Sequence, residues 1–233
     1  MRALDRVDLT IEPGEFVSLA GPSGCGKTTL LKILAGFTDP SEGTVHVGDD
    51  EVLGPDPSRG VVFQQANLFP WLSVRANVEF GPRMAGASKA QRRARSDELL
   101  ALVGLEDFGD HRPYELSGGM QQRAQIARVL ATEPALLLMD EPFGALDALT
   151  RLRLQNELRR LWLETGTTVL FITHSVDEAA FLGSRVLVMS PRPGRITFDE
   201  PTPYGRSADL PADPRSTPEF IAYRDRVGAA IHA

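Results

Sequence analysis

The residues best suited to chemistry lie together in Gly21-Pro22-Ser23-Gly24-Cys25-Gly26-Lys27-Thr28-Thr29. Glycines, one cation and hydroxyls in this order suit a loop that wraps a polyphosphate. Glycine lets the backbone curl until successive amide N–H groups point inward, and a helix start behind them adds partial positive charge. Lys27 is placed to reach the outer phosphates, and the Thr28 hydroxyl to ligate Mg2+. The flanks agree. Phe16-Val17-Ser18-Leu19-Ala20 reads as a strand and Leu30-Leu31-Lys32-Ile33-Leu34-Ala35 as a helix, the strand–loop–helix order that a phosphate loop needs. Cys25, the one cysteine of the chain, reads as a small residue tolerated in that turn, and no intramolecular disulfide is possible.

Other groups fit around such a loop. Asp140 ends the apolar run Ala135-Leu136-Leu137-Leu138-Met139, the pattern of a buried parallel strand. A carboxylate at that strand end can hold Mg2+ beside the phosphates. Glu141 follows and can polarise an attacking water; without the phosphate loop the pair would read equally well as exposed loop charge. His174 ends a second apolar stretch, Thr167 to Thr173, whose strand is expected beside that of Asp140, bringing the imidazole to the terminal phosphate. Gln64 follows Val61-Val62-Phe63, where it can orient water or complete the Mg2+ shell. In Leu116-Ser117-Gly118-Gly119-Met120, Ser117 is a good N-cap and the glycines bare the amides of a helix start, making a second anion site. One phosphate loop with a second, distant site suggests that the second serves another subunit's nucleotide.

The positioning elements alternate between periods. Val7 to Ile11 alternates apolar and polar residues and predicts a half-buried strand. Thr44 to Val47 predicts a short strand, Val74 to Val103 a helical region, and Ser117 to Leu130 a further helix. Lys89, Arg92, Arg93 and Arg95 read as a solvated helix face, since no aromatic residues interleave with them. Helices are expected over Arg151 to Glu164 and Val176 to Leu182, with a strand over Arg185 to Ser190 and a last helix near Pro218 to Ile231. Strands alternating with helices give an α/β sheet. The expected division is a core of 1–66 and 133–200, an inserted helical segment of 67–132, and a tail of 201–233.

At 233 residues, 42% hydrophobic and 24% charged, the chain has ample core for one domain with an insertion. No apolar run approaches the roughly 18 residues that span a bilayer, and Met1 to Arg6 lacks a signal-peptide core. A net charge of −6 disfavours a nucleic-acid surface. The cytoplasm is the expected address.

With these motifs in place, the chain resembles the ATP-binding cassette (ABC) transporter family, as an ATPase subunit. Gly21–Thr28 matches Walker A, Gln64 the Q-loop, Leu116–Met120 the signature, and Leu136–Asp140 Walker B, followed by Glu141. Ala145-Leu146-Asp147 looks like the D-loop and His174 like the switch histidine. Within the family, Pro142-Phe143-Gly144-Ala145-Leu146-Asp147 and Met189-Ser190-Pro191-Arg192-Pro193-Gly194-Arg195-Ile196 look like the nitrate, sulfonate and taurine import group. The resemblance implies a P-loop NTPase (RecA-like) core with a mostly parallel sheet, an antiparallel β portion and an inserted α-helical signature subdomain. It implies ATP and Mg2+ as cofactors and two subunits packed head to tail. Ser117, Gly118 and Gly119 would then meet the γ phosphate in trans, and Asp147 would cross the interface. Further implied partners are two transmembrane permease subunits, met near Gln64–Val78, and indirectly a periplasmic or lipid-anchored solute-binding protein. The implied place is the cytoplasmic face of the bacterial inner membrane, as a peripheral subunit.

Two departures stand out. Met120 replaces the Gln common at the signature's end, leaving Ser117 and the bare amides in place. Family members also carry an aromatic ahead of this region that stacks on adenine, and no aromatic precedes Phe16 here. Either a first strand is missing or the start lies inside a longer reading frame. Such stacking contributes about 1–3 kcal/mol, so ATP affinity is expected to be tenfold or more weaker without it. Two alternatives remain open at this level: a soluble ABC ATPase acting on nucleic acid or ribosomes, and a non-catalytic nucleotide-binding subunit. The first class generally uses coiled coils, zinc-binding cysteine pairs or two cassettes per chain, and the second should lack catalytic residues that are present here.

Overall fold

The computed structural model describes residues 2–205 and 214–232. Its centre is a six-stranded sheet of β1 (Phe16–Ala20), β4 (Arg59–Val62), β5 (Leu136–Asp140), β6 (Thr168–Ile172), β7 (Arg185–Met189) and β8 (Ile196–Pro201). The order is β4-β5-β6-β1-β7-β8. The first five run parallel, and β8 closes the edge antiparallel to β7. A separate antiparallel ladder joins β2 (His46–Val47) and β3 (Asp50–Glu51). The α/β expectation, parallel sheet and antiparallel portion alike, therefore matches.

The sheet is apolar on both faces. All five residues of β1 and of β5 are buried, as parallel strands covered on each side must be. Phe16 and Phe171 join one cluster, while Val17, Leu19, Leu170 and Ile172 join the other, because successive side chains point to opposite faces. Trp162, on α6 (Ala148–Thr165), anchors the first cluster. It is 2% exposed, meets the Phe16 ring edge-on at 5.6 Å, and donates its indole N–H to the Gly14 carbonyl at 3.0 Å. Trp162→Ala should lower unfolding free energy by about 3–5 kcal/mol, read as a lower denaturation midpoint with an unchanged slope.

Between β4 and β5 the chain is helical: α2 (Val74–Val78), α3 (Phe80–Met84), α4 (Lys89–Leu102) and α5 (Gly118–Leu130). The helical region expected from Val74 to Val103 consists of three helices, α2, α3 and α4. Gly86, at φ +83°, ends the second piece, and Ser88 restarts the chain with a capping box to Gln91. The basic face of α4 is paired with acids: Arg93 lies 3.3 Å from Asp97 and Arg95 2.8 Å from Glu98 on the same helix, and Arg92 4.0 Å from Glu79 between α2 and α3.

Val7 to Ile11 is not a strand among the described residues. The alternation is real, since Val7, Leu9 and Ile11 pack against the second cluster while Asp8 and Thr10 are exposed. No ladder partner lies alongside within the described residues, and burial alone does not make a strand. Helix α7 (Val176–Leu182) has the expected bounds, and α8 (Pro218–His232) forms the expected final helix, lying against α7 and β7. Part of the expected tail, 206–213, falls outside the described residues. No helix of the described residues is long and apolar enough to cross a membrane.

Candidate functional site

Five parallel strands place five loops at one edge, the carboxyl edge where such sheets bind ligands. The Gly21–Thr28 loop leaves β1 and runs into α1 (Lys27–Leu34); Asp140 and Glu141 end β5; His174 follows β6; Gln64 follows β4. Ser190 to Arg192 follows β7. A cavity of about 650 Å³ opens there, lined by Ser23, Gly24, Gly26, Lys27, Thr28 and Thr29 together with Gln64, Glu141 and His174. Another cavity, about 410 Å³, lies under α4, α5 and α6 with leucines and Trp162 in its walls and none of these groups. The first is the candidate site.

The loop is shaped for an anion. Gly21 has φ +149°, and a Cβ there would stand 2.6 Å from the Met189 carbonyl oxygen, a backbone atom that cannot yield. The Lys27 side chain is buried against its own loop and donates to the Gly21 and Pro22 carbonyls at 2.7 and 3.0 Å. These are donors that a phosphate entering the cavity could take over. Cys25 is buried in the same turn, its sulfur 3.8 Å from the Lys27 nitrogen.

Burial at the end of β5 holds the Asp140 carboxyl above the usual carboxylate range, and the neighbouring Glu141 charge adds to this; a hydrogen bond with Thr28 and the Lys27 charge act the other way. A buried acid facing a hydroxyl and a cation, with its charged form penalised, is a group that gains from a cation ligand. Among the described residues no cluster of three His, Cys, Asp or Glu could hold a metal without help. The donor set of Thr28 and Asp140 fits Mg2+ instead, since that ion keeps several waters and takes few protein oxygens.

Glu141, Gln64 and His174 converge on one carboxylate oxygen. Gln64 Nε2 donates to Glu141 Oε2 at 3.1 Å, and His174 Nδ1 stands 3.2 Å from the same atom. Glu141 has φ +47°, a left-handed backbone that costs a non-glycine residue about 1 kcal/mol or more. Its N–H donates to Ile172 and its carbonyl accepts from Gly144, so a tight turn fixes the strained residue with its carboxylate toward the cavity.

The signature residues are not in this cavity. Ser117 caps α5, accepting from the Met120 N–H at 3.3 Å, and Ser117 and Gly118 are exposed. Asp147 caps α6; hydrogen bonds from Thr150, backbone then hydroxyl, hold its carboxyl below the usual range, and it too is exposed. These two helix starts touch each other. A Cβ on Gly119 would lie 3.2 Å from the Ala145 carbonyl oxygen, so only glycine allows that approach without displacement.

Two cavity residues escaped the sequence. Arg192 and Ala3 line the same space, with Arg192 Nε donating to the Arg2 carbonyl at 3.0 Å. The Ser190–Arg195 string served only as a group marker, although its place after a strand adjoining β1 already put it at the ligand edge. Of the aromatics in the Gln64–Val78 segment, Phe69 packs inward on Phe80 and under Arg128, whereas Trp71 is 69% exposed.

Comparison with known proteins agrees with this geometry. The ABC transporter family model matches residues 4–144. The taurine import ATP-binding protein TauB of Jannaschia sp. (strain CCS1) is 51% identical over 230 residues, covering 97% of this chain and 85% of that protein. TauB of Ruegeria pomeroyi is 54% identical over 213 residues, covering 90% and 80%. Among solved structures, a dimeric post-hydrolysis state of an ATP-binding cassette bound to ADP and Pi superposes with a TM-score of 0.77 at 38% identity, covering 85% of this chain and 90% of that one. With a family match over more than half of its length and a P-loop cavity built as an ATPase requires, the chain belongs to the ABC transporter family, as one of its ATP-hydrolysing cassettes.

Proposed function

We propose that this cassette powers a bacterial ABC importer for a small anionic solute such as taurine, a sulfonate or nitrate. It works as a head-to-tail homodimer under two transmembrane permease subunits, at the cytoplasmic face of the inner membrane, with a periplasmic or lipid-anchored solute-binding protein delivering cargo. The observation that carries the dimer is the separation of the Ser117–Gly119 helix start, exposed at Ser117 and Gly118, from the chain's own phosphate cavity. An anion site that the same chain cannot use is left for a second copy. The solute class rests on the relatives named for taurine import.

On this reading Lys27 and the amides of Gly21 to Thr29 grip the β and γ phosphates, and Thr28, Asp140 and Gln64 hold Mg2+. The metal, when bound, neutralises charge building on the phosphate oxygens. Glu141 takes the proton of the attacking water, Gln64 and His174 fix its carboxylate, and His174 Nε2 faces the γ phosphate. Ser117, Gly118 and Gly119 of the second copy cover that phosphate, with Asp147 crossing beside them. Only the intact triphosphate meets both subunits, so hydrolysis releases them. The core of 1–66 and 133–200 is then the catalytic half, 67–132 the half that reaches across and meets the permease through Trp71, and 201–233 an appended tail.

Reconstitution with its membrane partners in liposomes tests the import role: ATPase activity should rise with an anionic sulfonate or nitrate presented on the outer side. Stimulation by nucleic acid, with none by any permease, would overturn it.

Asp140→Asn separates the metal role from stability. The native carboxyl is raised by burial, so the folded form binds the extra proton and stability declines as pH climbs from the usual value of 3.8 through the native one. Asparagine removes that penalty. The variant should melt above the parent at neutral pH without nucleotide, and the gap should close below about pH 3, where the carboxyl is neutral in the folded and unfolded chain alike. Its apparent Mg2+ requirement in the ATPase assay should rise by about tenfold.

A further inference from the structure

His174 is two-thirds exposed at its side chain, with the Glu141 carboxylate at 3.2 Å. That single contact on an otherwise exposed side chain is too little to place a catalytic imidazole, so its backbone must be fixed from behind. Behind it lies a buried polar chain. Thr173, 1% exposed, donates its hydroxyl to Glu178 Oε2 at 2.5 Å and accepts the Ser175 N–H at 2.9 Å. The two neighbours of His174 are thus bonded to one hydroxyl. Glu178 Oε1 accepts from Gln155 Nε2 at 3.1 Å, and Arg215 donates to Gln155 Oε1 at 2.7 Å. Gln155 is 3% exposed and Glu178 9%.

The direction of this chain is dictated at its far end. Arginine has donors only, so the Gln155 amide must turn its oxygen to Arg215 and therefore its NH2 to Glu178. With the amide reversed, an oxygen would face a buried carboxylate, which costs free energy in a poorly screened interior. Arg215 is itself built in. Its guanidinium carbon stands 3.6 Å from the Phe181 ring centre, and α8 behind it buries Phe220, Tyr223 and Val227. Thr217 donates to the Pro214 carbonyl at 2.8 Å. On its other side, Glu178 Oε1 lies 4.0 Å from Arg151, whose second nitrogen donates to the Leu146 carbonyl at 2.9 Å, one residue before Asp147.

We propose that Arg215, through Gln155, Glu178 and Thr173, is a positioning residue for His174, so that docking of the C-terminal segment sets the rate of ATP hydrolysis. The proposal rests on the reading of His174 as the group facing the γ phosphate. Because Glu178 also adjoins Arg151, the same docking tightens the approach to Asp147.

The test is steady-state and single-turnover ATP hydrolysis by the full chain carrying Arg215→Ala, Arg215→Lys, Glu178→Gln and His174→Ala. Arg215→Ala and Glu178→Gln should each lower kcat by about fivefold with KM for ATP unchanged within about twofold, since the loss falls on the transition state. Arg215→Lys, which keeps a donor, should recover most of the rate. Arg224→Ala, which removes the 3.7 Å surface pair between α8 and Asp177 of α7, should leave kcat unaltered. In a His174→Ala background Arg215→Ala should add no further loss. Equal losses in both backgrounds would overturn the proposal, as would an unchanged kcat in Arg215→Ala and Glu178→Gln. If His174→Ala alone keeps the parent rate, the fault lies with the role given to His174 and not with the chain behind it.

Discussion

Glu141→Gln is expected to slow ATP hydrolysis by about a hundred- to ten-thousandfold, the loss that follows removal of a positioned base, while ATP still binds. The amide has the volume of the acid and can still accept from Gln64, which donates to the carboxylate at 3.1 Å. The left-handed backbone at φ +47° is equally strained with either side chain, so the melting temperature should barely change. Only the proton acceptor is gone. With hydrolysis stopped, ATP should hold two chains together, and gel filtration in millimolar Mg-ATP should show a dimer. A monomer under those conditions would count strongly against a shared catalytic chamber.

Mixing two inactive chains gives the second large effect. Lys27→Ala removes the buried cation of the phosphate loop, and Ser117→Arg fills the exposed helix start with a long side chain. Each alone should lose nearly all activity, because each homodimer has both chambers spoiled. In a mixed head-to-tail dimer one chamber collects both defects and the other collects none. With random pairing, half of the dimers are mixed and half of their chambers are sound, so about a quarter of the parent activity should return. Chambers built within one chain would give no recovery at any mixing ratio. Measuring ATPase activity across ratios, with dimer content followed by gel filtration, distinguishes the two.

The site was legible because its parts sit at chain positions with strong local signatures. A glycine loop between an apolar strand and a helix is a strong local pattern, Asp140 ends an unbroken apolar run, and His174 follows the apolar Val169 to Ile172 by one residue. The parallel order of the strands then gathers them at one edge without further information. What was not legible depended on partners distant in the chain. Val7 to Ile11 has the right alternation and the right burial, but a strand also needs a neighbour to bond, and no pattern along one segment supplies that. β8 alternates in burial over Ile196–Pro201, but its sequence does not carry the β7 partner that makes it a strand. The break between Met84 and Lys89 was readable in Gly86 and in Ser88 with Gln91 three residues later. Glu178 and Arg215 were not. Neither belongs to a motif, and their value comes from meeting Gln155 in the folded chain.

The close approach of Gly119 to the Ala145 carbonyl has a practical consequence for building chimeras. The α5 start and the turn before α6 are fitted to each other, because any side chain at position 119 would crowd the Ala145 carbonyl. Transplanting the Ser117 segment from a sister cassette while keeping the native Ala145–Asp147 turn would pair surfaces shaped by different histories. An exchange that carries both pieces should yield pairs that recognise each other, whereas an exchange of either piece by itself should yield chains that fold yet fail to mate.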